Sequence, residues 1–112
     1  MNALVVCDVL KDPILVSRES ARLLEAPLRL LDVGSIVTVD FNGVEGISPS
    51  FFDELLTVYE SVLGDALIDI FQLIIDNPPT ELSSKFVAVA RSHQMVIHHV
   101  DSNKSWILNP KK

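Results

Sequence analysis

Between Ser35 and Gly64 the apolar period changes from two residues to about 3.6, and that change demands a strand, a loop and a helix in direct succession. The run Ser-Ile-Val-Thr-Val-Asp-Phe-Asn over 35–42 is rich in β-branched residues, and polar Thr38 and Asp40 alternate with Val37, Val39 and Phe41. Gly43 and Gly46 punctuate the loop that follows. Ser48-Pro49-Ser50 then opens a helix in which Phe51, Leu55, Val58, Tyr59 and Val62 form one apolar stripe. Phe52, Leu56 and Leu63 widen the stripe, Asp53, Glu54, Thr57, Glu60 and Ser61 lie mostly elsewhere, and Gly64 stops the element.

The flanking segments predict the rest of an α/β domain. Two short apolar runs, 3–7 and 14–16, read as an opening pair of strands separated by the Lys11-Asp12-Pro13 turn cluster. From Ser17, which reads as an N-cap, Ala21, Leu24, Leu28 and Leu31 recur at helical spacing. Pro27 has no N–H and crowds the preceding turn, so the spacing predicts a kink or two short pieces, ended by Gly34. Residues 66–75 are ambiguous between strand and buried helix, and the Asn77-Pro78-Pro79 stop favours a strand centred on 71–75. A third helix is expected over about 80–92, with Pro79 in its first turn. Residues 95–100 and 105–108 predict a terminal hairpin joined by Asp101-Ser102-Asn103-Lys104, and 110–112 a frayed tail. The fold class is therefore α/β, with a mixed four- to five-stranded sheet carrying helices, in one domain over residues 1–112.

Composition narrows the function classes. Apolar residues make up 48% of the 112-residue chain and charged residues 21%, enough for a core without staples or metal. The net charge of -6 opposes nucleic acid and anionic membrane surfaces as partners. No apolar run approaches the roughly 20 residues of a bilayer-spanning helix. The N-terminus has no basic region of a secretory signal, and the lone Cys7 cannot form an internal disulfide, so a cytoplasmic location is expected.

The segment Val37-Thr-Val-Asp-Phe-Asn-Gly-Val-Glu-Gly-Ile-Ser-Pro-Ser-Phe-Phe-Asp-Glu-Leu-Leu56 resembles the central motif of STAS-like domains, a poorly characterised bacterial family related to anti-sigma factor antagonists. With the upstream helix, the likeness covers roughly residues 17–75. The resemblance implies a four- or five-stranded sheet flanked by helices, a non-enzymatic role in signalling or regulation, and protein partners that include ATPases of the histidine-kinase type. In the antagonist branch, the serine at the start of the helix after the central strand is phosphorylated to release the partner. Ser50 stands at the matching position, where that branch reads Asp-Ser-Ser-Gly and this chain reads Ser48-Pro49-Ser50-Phe51.

The two serines have competing readings. A phosphate on Ser50 meets the positive end of a helix. Equally, Ser48 with Pro49 at the first helical position, or Ser50 with Asp53 three residues on, is a good N-cap. Asp53 and Glu54 are expected in the first turn, where they would repel an added phosphate. The expected partner surface comprises Asn42, Gly43, Glu45 and Gly46 in the loop, with Asp53 and Glu54 on the helix. A small-molecule or nucleotide site at the same helix N-terminus is the alternative, and a homodimer through the hairpin edge is a third.

Other chemistry has little support. His98 and His99 are adjacent in a strand and point to opposite faces, so a metal site that includes them and His93 is not expected. Cys7 has no nearby base and reads as a small buried apolar residue. Asp40 and Glu45 read as solvated carboxylates rather than an acid pair, and Trp106 as a sheet-packing residue. The four glycines match neither dinucleotide nor P-loop spacing, so no cofactor is expected.

Overall fold

The computed structural model describes residues 3–31 and 35–111. Five strands form one mixed sheet: β1 (Ala3–Val5), β3 (Ile36–Asp40), β5 (Gln72–Asp76), β6 (Met95–Val100) and β7 (Ser105–Pro110), in the order β1-β3-β5-β7-β6. β1, β3 and β5 run parallel, whereas β7 is antiparallel to both β5 and β6. A second sheet joins β2 (Ile14–Leu15) to β4 (Gly46–Ile47) in parallel. Among the described residues five α-helices accompany the strands: α1 (Val6–Leu10), α2 (Arg18–Arg22), α3 (Glu25–Leu30), α4 (Pro49–Leu63) and α5 (Ser84–Ser92).

The strand period decides where the core lies. Leu4, Val37, Val39, Leu73, Ile75, Trp106, Leu108, Met95 and Ile97 are buried, while the intervening Thr38, Ile74 and Ile107 are only partly buried and Val96 and His98 are exposed. Against the buried face α4 sets Phe51, Phe52, Leu55, Leu56, Val58, Tyr59 and Leu63. Edge-to-face contacts tie the layers, with ring centroids 5.8 Å apart for Phe52 and Trp106 and 5.6 Å for Tyr59 and Phe71.

The expected α/β class and mixed sheet are present, and so is the two-piece helix. Leu23 and Leu24 close tight turns on Ser20 and Ala21, and Pro27 falls in the first turn of α3, where its missing N–H costs nothing. The proposed end at Gly34 lies outside the described residues. The ambiguous stretch resolves into a 3-10 turn, Asp65–Leu67, followed by β5.

Several boundaries differ from the sequence expectation. The opening runs do not pair with each other: β1 joins β3, β2 joins β4, and α1 occupies residues read as strand. Helix α5 starts at Ser84, not near Thr80, because the Asn103 amide donates to the Thr80 carbonyl and accepts from the Leu82 N–H, holding 80–82 out of the helix. Pro110 belongs to β7 and the Lys111 N–H donates to the Gln94 carbonyl, so these two residues are not a frayed tail. Cys7 is half-buried rather than buried.

Candidate functional site

The corner between β3 and α4 is built by short-range hydrogen bonds. Asp40 Oδ1 accepts from the Asn42 N–H at 2.8 Å and from Asn77 Nδ2 at 2.9 Å, so this carboxylate braces two strand ends. The Val44 N–H donates to the Phe41 carbonyl at 2.9 Å, closing a turn in which Gly43 has φ 90°. A positive φ at the third turn position is what a type II turn requires, and glycine adopts it without strain. The Glu45 and Gly46 N–H groups both donate to the Pro13 carbonyl, which lays β4 along β2.

The two serines divide into different roles. Ser48 is the N-cap of α4: its Oγ accepts from the Phe51 N–H at 3.0 Å and donates to the Val16 carbonyl at 2.7 Å. Its own N–H donates to the Leu15 carbonyl, so Ser48 also fastens the small sheet to the helix. Pro49 takes the first helical position, and Ser50 is the exposed second residue of α4. Among the described residues its hydroxyl makes no hydrogen bond.

Asp53 and Glu54 do not occupy the first turn. The helix begins at Pro49, so they fall in its second turn, and the first turn carries no carboxylate. Both are engaged within the chain. Arg18 of α2 donates to Asp53 at 2.7 Å, and Arg22, one turn on, donates to Glu54 at 3.2 Å. His93, which follows α5, lies between Asp53 and Glu60, with each ring nitrogen 2.5 Å from a carboxylate oxygen. The hydrogen bond to His93 lowers Asp53 below its ordinary carboxylate value, partly opposed by burial and helped by Arg18. For His93, burial pulls downward, but the bonds to Asp53 and Glu60 prevail and raise it.

The structure thus brings Asn42, Gly43, Glu45, Gly46, Ser48 and Ser50 together at one corner, while Asp53 and Glu54 face α2. The sequence reading omitted Ile14 of β2 and Val16 just after it, which are 51% and 57% exposed beside that corner. It also omitted Arg18, Arg22 and His93 as partners of α4. The i,i+4 spacing of the two arginines was the available signal; nothing local pointed to His93. His98 and His99 are both exposed on β6. Trp106 is fully buried, as a sheet-packing residue should be. A hollow of about 290 Å³ beside Glu81, His99 and Asn103 does not include either serine.

Among the described residues, no helix is long and apolar enough to cross a membrane. Comparison with curated proteins and with solved structures gives no match. Residues 21–81 match the family described as a STAS-like domain of unknown function (DUF4325). That match spans more than half of the 112 residues, including α3, β3, the serine corner, α4 and β5, and the chain belongs to this STAS-like family.

Proposed function

We propose that the chain is a non-enzymatic interaction module of bacterial signalling or regulation, working in the cytoplasm, that docks a protein partner at the corner between β3 and α4. The observation that carries this reading is the division of labour between Ser48 and Ser50. Because Ser48 alone caps the helix, Ser50 can be modified without removing the cap. A phosphate on Ser50 would meet the Ser50 N–H and the positive helix end, with no carboxylate in that turn to repel it. Asp53 and Glu54, one turn further, have their charge countered by Arg18 and Arg22.

Ile14 and Val16 supply apolar contact area next to the same corner, suited to a protein surface more than to a small anion. An ATPase of the histidine-kinase type is the partner class we favour, by likeness to the anti-sigma factor antagonists. The test compares pull-downs from native lysate using the wild-type chain, Ser50→Ala and Ser50→Asp, with mass spectrometry of the chain purified from its own cells. A partner retained by wild type and Ser50→Ala but lost with Ser50→Asp, together with phosphate on Ser50, is the expected result. Recovery of the same proteins with all three versions would overturn the switch, and recovery of none would overturn the docking role.

A further inference from the structure

β6 is an edge strand, and its outer side is unpaired among the described residues. The Gln94 and Val100 carbonyls accept from Lys111 and Lys104 on the β7 side, so strand alternation turns the N–H and C=O groups of Met95, Ile97 and His99 outward. Edge strands are commonly blunted by lysine, proline or a bulge. β6 has none of these: it reads Met-Val-Ile-His-His-Val and stays in continuous register with β7 through all six residues.

Helix α5 packs beside this edge and leaves a groove of about 120 Å³. Val87 and Arg91 of α5, Met95, Val96 and Ile97 of β6, and Lys111 line it. The volume is similar to that of an apolar cavity that takes one benzene-sized group, about 150 Å³. Arg91 and Lys111 are exposed, and among the described residues neither has a carboxylate within salt-bridge distance. In a chain of net charge -6, two such cations beside an open backbone edge define a local site for an anionic group.

We infer that the β6 edge and its α5 groove receive an extended segment of a partner protein by strand addition, with an aliphatic side chain in the groove and an acidic side chain against Arg91 and Lys111. Main-chain bonds to Met95, Ile97 and His99 supply affinity, and the two cations select the sequence. A second copy of this chain is the competing occupant, since Asp101 directly follows β6 and an antiparallel pairing of two β6 edges would bring it near the same cations, and the oligomeric state separates the two. This surface is separated from the serine corner by β5 and β7, so it stands or falls independently of the function proposed there.

The probe is a phage-displayed library of random decapeptides, selected on the full chain. Selected peptides are then measured by fluorescence anisotropy against wild type and the exposed double variant Arg91→Glu/Lys111→Glu, whose folding circular dichroism confirms. On strand addition of this kind, the enriched sequences alternate aliphatic, mostly β-branched residues and carry an Asp or Glu at one end. They bind the double variant at least tenfold more weakly, and binding slows hydrogen exchange at the Met95, Ile97 and His99 amides. Failure to enrich any such peptide, unchanged affinity for the double variant, or protection elsewhere would overturn it. So would protection of those three amides in the peptide-free protein with a dimer mass by light scattering, which assigns the edge to a second copy.

Discussion

The thiol of Cys7 lies 3.1 Å from the point that a Cβ on Gly43 would occupy, so the turn after β3 closes directly onto α1. Gly43 also has φ 90°, a conformation costly for any residue with a side chain. Gly43→Ala is therefore expected to destabilise the fold by about 1–3 kcal/mol in urea denaturation, from backbone strain and the contact together. Repeating the substitution in a Cys7→Ala background relieves only the contact. A cycle with no coupling energy would show that the two residues do not touch in solution.

Ser48 and Ser50 are two residues apart but should behave very differently. Ser48→Ala removes the cap of α4 and the donor to the Val16 carbonyl, with an expected loss of about 1–2 kcal/mol. Ser50→Ala removes an exposed hydroxyl and should stay within about 0.5 kcal/mol of wild type. Chemical denaturation of both variants decides it, and equal losses would mean that the cap is shared between them.

What could be read from the sequence was what the chain specifies locally. β3, α4, the terminal hairpin and the break around Pro27 each follow from a period, a cap or a proline within a few residues. The apolar run at β2 was legible as a strand, but the two-residue β4 has no period to detect, and the two pair because the Pro13 carbonyl captures the Glu45 and Gly46 N–H groups across the fold. In α1, Val-Cys-Asp-Val-Leu suits a strand as well as a helix, so its composition misled. At the candidate site, the serine-proline entry was visible in the sequence but the choice of Ser48 as the cap was not. That choice depends on the Val16 carbonyl, 32 residues away. The same distance problem hid His93, which meets Asp53 only once α4 and α5 are packed.

The clamp of His93 between Asp53 and Glu60 makes stability depend on pH in a defined direction. His93 is raised in the fold, so its contribution is complete below the unfolded value of about 6.5 and is lost as pH rises through the higher folded value. Asp53 is lowered, so its contribution is present above its unfolded value of 3.8 and is lost as pH falls through the lower folded value. Stability from this cluster should therefore peak between roughly pH 4 and 6.5. Urea midpoints measured from pH 5 to 9 should fall with rising pH for wild type and fall less for His93→Gln. Parallel profiles would remove His93 from the linkage.

Asn103 holds the hairpin turn to the start of α5. Asp101, Ser102 and Asn103 all have positive φ, at 52°, 56° and 73°, a left-handed run that costs about 1–2 kcal/mol per residue without glycine. The Asn103 side chain offsets this by accepting from the Trp106 indole N–H at 2.7 Å and the Leu82 N–H at 3.3 Å, and by donating to the Thr80 carbonyl at 2.9 Å. Asn103→Ala should cost about 2–4 kcal/mol, because it leaves a buried indole N–H without its acceptor. Asn103→Gly separates the causes, since it relieves the left-handed strain while removing the same three bonds. If the side chain is what matters, the glycine variant also loses stability and the indole N–H resonance of Trp106 shifts in both; a glycine variant as stable as wild type would assign the role of Asn103 to its backbone alone.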